Sequence, residues 1–297
     1  MDFTEALEAW VASHPDQGLA AVVAGSDSGR ANYIEDGSAL SSGQTSAKSK
    51  ARAARAPARP KPSAVFVSAK ASAAGRDEHA VLAVAGDAAP RPKWLAEHLQ
   101  TPPFLVSILA PVKSGKTTTI VNIILNPALY RKAWSRVYLV SPTARVDDTF
   151  APLVGDPAAT AYVPASPKEF EAAIASVIAA VGEGDEPAVL VVDDCVNLIG
   201  ASSVFLGLCT RYRHLKLSII VATQYFKALP PVVRSNTSMF LVFRLTNEKE
   251  LMAWLEEEAG NFPPRELEAA YRAVTKNKYH FLRVDRRELT LGDSFMS

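Results

Sequence analysis

The clearest pattern along the chain is an apolar run, Phe104-Leu105-Val106-Ser107-Ile108-Leu109. It breaks into small and polar residues and resumes as Thr118-Thr119-Ile120-Val121-Asn122-Ile123-Ile124-Leu125. The first run is short and bounded like a buried strand, and the second reads as a helix. Strand-like and helical runs then alternate: Arg136 to Val140, a helix around Glu169 to Val181, Ala188 to Val192, and Leu217 to Ala222. A further helix starts at Asn247, with Glu250 three residues on, carries Leu251, Trp254 and Leu255 on one face, and stops at Gly260. Its acids Glu256, Glu257 and Glu258 read as a solvated face. Lys278 to Val284 reads as a late strand at a sheet edge. The alternation predicts an α/β fold: a mainly parallel central sheet flanked by helices, with ligands at the carboxyl ends of the strands.

The chain before this region has another character. Phe3, Leu7, Trp10 and Val11 recur at helical spacing and predict a short amphipathic helix. From about Gly25 to Pro92 the sequence is rich in Ala, Ser, Gly, Pro, Lys and Arg, and Pro57, Pro60 and Pro62 interrupt regular structure. Such composition predicts a largely disordered extension. Two short apolar runs within it, Ala64 to Val67 and Ala80 to Val84, are candidates for local pairing. The expected organisation is an extension over 1–93 and a folded domain over 94–297.

Composition adds that 48% of the residues are hydrophobic, enough for a substantial core. Formal charge is +1, yet Gly43 to Gly75 carries seven cations and no acid, leaving −6 elsewhere. Contact between the folded part and nucleic acid must then come from local patches. The basic segment has two readings, a solvated linker or a tether that touches phosphates nonspecifically. The start, Met1-Asp2-Phe3-Thr4-Glu5, lacks a basic leader, and no apolar run reaches membrane-spanning length, so neither secretion nor a membrane span is expected. Cys195 and Cys209 are too few for a zinc site or disulfide framework, and the five histidines are scattered.

The break after Leu109 carries the chemistry. Ala110-Pro111-Val112-Lys113-Ser114-Gly115-Lys116-Thr117, followed by Thr118, has the form of a phosphate-binding loop, or Walker A motif, between a strand and a helix. Small residues let successive backbone N–H groups curl round phosphate oxygens, a lysine reaches the β and γ phosphates, and a hydroxyl ligates magnesium. Gly115, Lys116 and Thr117 fill these positions. Ala110 stands where such loops begin with glycine and is expected at negative φ, because a Cβ at positive φ is costly.

Val189 to Val192 ends in Asp193-Asp194, a Walker B pattern. Asp193 is expected to share a magnesium ion with Thr117, and Asp194 to orient or deprotonate the attacking water. A third apolar strand ends at Gln224, a candidate γ-phosphate sensor. Arg234 follows Pro230-Pro231 and from local sequence alone reads as a surface arginine, although it also suits stabilisation of a transferring phosphoryl group. Arg211, Arg213 and Lys216 around Tyr212, and Arg283, Arg286 and Arg287, are candidate DNA contacts that solvated faces explain equally well.

Taken together, Ala110 to Thr117, Val189 to Asp194, Leu217 to Gln224 and Leu229 to Asn236 resemble the DNA-packaging ATPases of poxviruses and other nucleocytoplasmic large DNA viruses, within the FtsK/HerA superfamily. The resemblance covers roughly Pro103 to Leu255. It implies a P-loop NTPase of the additional-strand, RecA/FtsK-like kind, using ATP and Mg2+, with Lys116, Asp194, Gln224 and Arg234 as catalytic residues. It also implies a homo-oligomeric ring that drives double-stranded DNA into a capsid. Ala110 and the basic extension depart from the family pattern. With fewer residues after Gln224 than a typical domain holds, the arginine that a second lobe would supply is expected from another subunit or from the same domain. The expected setting is the virion or the host-cell cytoplasm, with capsid or inner-membrane virion proteins as further partners. Two other classes stay open: a small-molecule kinase or GTPase, and a nucleotide-gated capsid assembly scaffold. For GTP, the nearest guanine-reading element, Asn277-Lys278-Tyr279-His280, lacks its acid.

Overall fold

The computed structural model describes residues 91–183 and 186–295. The amphipathic helix, the two short apolar runs and the part of the low-complexity segment before Arg91 lie outside these residues.

In chain order the elements are β1 (Leu105–Leu109), α1 (Lys116–Leu125), β2 (Arg136–Val140), α2 (Ala151–Val154), β3 (Ala159–Tyr162), α3 (Pro167–Glu183) and β4 (Ala188–Asp193). They continue with α4 (Val196–Ile199), α5 (Ser203–Arg211), β5 (Leu217–Thr223), α6 (Pro231–Asn236), β6 (Met239–Phe243), α7 (Glu248–Glu258), α8 (Pro264–Val274), β7 (Phe281–Asp285) and β8 (Thr290–Asp293). One sheet collects all eight strands in the order β3-β2-β4-β5-β1-β6-β7-β8. The first six strands in that order pair in parallel, and β7 pairs antiparallel with both of its neighbours, β6 and β8.

Strands β1, β4, β5 and β6 are buried along their whole length, which explains why β1, β4 and β5 read as unbroken apolar runs rather than alternating ones. Both faces are covered, and the period of two divides each strand between two cores. Leu190 and Val192 of β4 join Phe170, Ile174, Phe205 and Trp254 on one face. Val189 and Val191 join Ile120, Ile123, Phe150 and Tyr130 on the other. Each such large apolar side chain contributes about 1.5–3 kcal/mol on burial, so the sheet is held rigidly enough to aim the loops at its carboxyl edge.

The late strand expected at an edge is β7, and it lies one position inside, because β8 pairs with it through Leu282↔Asp293 to Asp285↔Thr290. The solvated face expected of Glu256 to Glu258 also needs correction. Glu258 is fully buried and receives a forked ion pair from Arg286, while Asn261 Nδ2 donates to it at 3.2 Å. Arg283, a candidate DNA contact, is buried under β8 and donates to the His98 carbonyl at 2.8 Å. Arg286 is spent on Glu258 and on the carbonyls of Arg234 and Thr237. Arg287 donates to the carbonyls of Thr101 and Pro103. This second arginine cluster therefore staples β7 to its surroundings. Arg211 and Arg213 are exposed.

Candidate functional site

Strand β5 lies between β1 and β4, so the loop after β1, the acids after β4 and the glutamine after β5 emerge side by side at one edge of the sheet. There they line a cleft of about 420 Å³, within the size range of small-molecule sites. Pro111, Val112, Lys113, Gly115, Lys116, Thr117 and Thr118 form its floor, with Asp194 and Gln224 beside them.

The loop's shape follows from three local choices. Ala110 donates its N–H to the Thr223 carbonyl at 3.0 Å, extending the β1–β5 ladder by one residue, and its methyl is fully buried. Its φ is not positive, as expected, so the missing glycine leaves the loop unstrained at this point. Ser114 then closes a turn onto the Pro111 carbonyl, with its hydroxyl donating at 2.7 Å. Finally Lys113 and Gly115 adopt left-handed backbone, φ 61° and 94°. Left-handed residues within such a turn direct successive N–H groups to one side, as in an anion-binding nest. Gly115 also caps α1 without any side-chain cap, and no acid occupies that helix's first turn. The orphan N–H groups and the positive end of the helix dipole are therefore left to an anion in the cleft.

Lys116 is the centre of charge. Its ammonium lies 2.9 Å from Asp193 Oδ1 and also bonds Asp194. Burial works against the charged lysine, but the two carboxylates more than offset it and hold its pKa above the ordinary value. Asp193 is 1% exposed, and burial pushes its carboxyl up to about 6 even though Lys116 pulls the other way. Asp193 Oδ1 has no hydrogen-bond donor beyond this ion contact. Asp194 adopts φ 53°, a left-handed turn that sends its carboxylate into the cleft as the strand ends. Behind the acids, burial pushes the Cys195 thiol up to about 12, so it has no thiolate character as a nucleophile.

Arg234 is not brought to this cleft. It sits on α6, with Nε 3.2 Å from Glu257 Oε1 and its guanidinium carbon 5.0 Å from the Phe226 ring centroid. Three cleft residues lay outside the motifs read from sequence. Asp147 and Thr149 follow β2, where the Asp147 carboxylate accepts the Thr149 N–H at 2.9 Å, and Tyr279 precedes β7. An isolated Asp-Asp-Thr in a loop and a single tyrosine carry no spacing signal; only the sheet order brings them here.

A hard cation fits this donor set. The Thr117 hydroxyl and Asp193 carboxylate supply oxygen, and Asp193 Oδ1 retains unused lone pairs. Among the described residues no group of three or more His, Cys, Asp or Glu forms a self-sufficient cage. Magnesium, which keeps waters and shares phosphate oxygens, does not need one.

No protein-family profile matches the chain. Over 108 residues it is 34% identical to uncharacterised protein 075L of Invertebrate iridescent virus 6, a match spanning 36% of this chain and 42% of that protein. Its fold is similar to that of the genome-packaging NTPase B204 from Sulfolobus turreted icosahedral virus 2, solved in complex with ATP-gammaS, at TM-score 0.50 and 18% identity. It is equally similar, at TM-score 0.50 and 17% identity, to B204, the DNA-packaging ATPase from Sulfolobus turreted icosahedral virus. Each comparison covers 66% of this chain and 98% of the other. The fold is thus that of a P-loop ATPase with a mostly parallel sheet.

Proposed function

We propose that the chain is an ATP-hydrolysing motor that moves double-stranded DNA into a viral capsid, of the kind used by poxviruses and other nucleocytoplasmic large DNA viruses. The observation that carries the reading is Lys116 held between Asp193 and Asp194 above an anion-binding nest, with Gln224 alongside. Similarity of fold to viral genome-packaging ATPases supports it. A ring of subunits, binding to capsid or inner-membrane virion proteins, and a site of action in the virion or host cytoplasm belong to the same proposal. No helix among the described residues is long and apolar enough to cross a membrane.

In this reading the triphosphate displaces the lysine's carboxylate partners. Lys116 transfers its hydrogen bonds to the β and γ phosphates, and the backbone nest encloses the β phosphate. Thr117 and Asp193 would hold a magnesium ion, which would supply positive charge to the phosphate oxygens. Asp194, released from Lys116, accepts a proton from a water whose oxygen attacks the γ phosphorus while the bond to the β-phosphate oxygen breaks. Gln224 orients that water. Arg234 faces away from its own cleft, on the Glu257 side, so the stabilising arginine of each site comes from a neighbouring subunit. Only an assembled ring then has complete sites.

The experiment is ATP turnover by the full chain with and without long duplex DNA. The motor reading expects DNA to raise the rate, and an unchanged rate overturns coupling to DNA. The raised pKa of Asp193 adds a pH test. The ionised acid is the metal-binding form, so protons compete with magnesium once the pH falls through about 6, well above the usual carboxylate value of 3.8. Magnesium-dependent nucleotide affinity is expected to fall about tenfold per pH unit below that point. Nucleotide titrations at fixed magnesium check it. A flat profile down to about pH 4 would remove Asp193 from this role.

A further inference from the structure

The residues already assigned handle the phosphates and leave the nucleoside end of the ligand without a protein partner. Tyr279 occupies the place where that end must lie. Strand β7 runs antiparallel to β6, with Phe281 opposite Phe243, so the segment just before β7 reaches the same carboxyl edge as the phosphate loop. In the sheet order, however, β7 lies on the opposite side of β1 from β2, β4 and β5, which bring Asp147, Asp194 and Gln224. With the γ-phosphate end directed at Lys116 and Asp194, the rest of the nucleotide runs away from the acids, towards Tyr279.

The local structure fits a platform. Tyr279 lines the cleft yet remains 45% exposed, a large aromatic surface left open to solvent. Its φ is 69°, a left-handed conformation unusual for a bulky side chain. Lys113 and Asp194, two other non-glycine residues with positive φ, line the same cleft, so backbone strain gathers where ligand contacts are needed. The strained turn is pinned just after the tyrosine, where His280 Nδ1 lies 2.9 Å from Asp293 Oδ1. The ring rests on the phosphate loop itself. A Cβ on Gly115 would stand 3.3 Å from Tyr279 Cδ1, so glycine here serves both the loop and the ring. The Lys278 ammonium lies 4.6 Å from the ring centroid, which adds positive charge beside the path of the phosphates.

We infer that Tyr279 is the stacking platform for the nucleobase of the bound nucleoside triphosphate. The inference rests on the triphosphate reading above and extends it to the base. Stacking uses the π face that every base has, so this contact rewards the presence of a base and discriminates weakly among bases.

The test compares ATP with inorganic tripolyphosphate, which has the same charged tail and no base. Dissociation constants are measured with magnesium for the full-length wild type, Tyr279→Ala and Tyr279→Phe. Tyr279→Ala is expected to weaken ATP binding about tenfold and leave tripolyphosphate unchanged, and Tyr279→Phe to bind both as the wild type does. Equal weakening of both ligands would make the ring a structural prop of the loop, and unaltered ATP binding would remove it from the site; either result overturns the inference while the triphosphate reading stands. A wild type that binds neither ligand overturns both.

Discussion

Asp194→Asn is expected to lower ATP turnover by roughly 10²–10⁴-fold, the range supplied by a positioned general base, while nucleotide affinity is retained. The amide keeps the shape of the side chain and its left-handed turn, which asparagine tolerates well. It cannot take a proton from water. It also relieves Lys116 of one of its two carboxylates, so the lysine becomes easier to recruit by phosphate. Affinity is therefore expected to hold or rise while turnover collapses. Lys116→Ala makes the contrast, since it removes the charge that both phosphates and acids depend on and should lose binding and turnover together. Single-turnover hydrolysis alongside equilibrium binding separates the two. An Asp194→Asn protein that loses affinity as well as turnover would assign the residue to structure.

In the proposed mechanism Lys116 passes from Asp193 and Asp194 to the triphosphate, so nucleotide binding and release of the two acids for their proposed roles would be joined through one side chain.

Much of this was readable from the sequence, because the informative strands are buried on both faces. β1, β2, β4 and β5 appear as apolar runs, and Lys116, Asp193, Asp194 and Gln224, at or beyond the carboxyl ends of β1, β4 and β5, carry the motif spacing. β3 and β8 were not legible, since they are short edge strands only partly buried. β6, Met239 to Phe243, was not read either, although it is a five-residue apolar run set off from α6 by Asn236-Thr237-Ser238. Tyr279 and Asp147 owe their place in the cleft to strand order, a long-range property that no local pattern encodes. Glu258 misled because three consecutive glutamates look alike in sequence, while a helical period of 3.6 residues sends only one of them inward.

That buried glutamate carries the largest expected effect on stability. Glu258→Ala is expected to destabilise the folded domain by about 3–5 kcal/mol, the magnitude found when one partner of a buried ion pair is removed. The Arg286 guanidinium would keep its contacts with the carbonyls of Arg234 and Thr237 and with the Phe240 ring, 4.7 Å away, but lose the only carboxylate it pairs with among the described residues. Glu258→Gln keeps the volume and part of the hydrogen bonding, so its loss should be smaller. Urea unfolding of the three proteins checks the order. A loss under about 1 kcal/mol for the alanine variant would place the pair in solvent, in the range of exposed salt bridges. The effect also bears on the proposed motor. Arg286 ties the Arg234 backbone to α7, and Glu257 on the same turn holds the Arg234 side chain. Loosening Glu258 should therefore disturb the arginine proposed to serve a neighbouring subunit. At urea concentrations where the domain stays folded, Glu258→Gln is expected to depress DNA-stimulated turnover more than nucleotide binding.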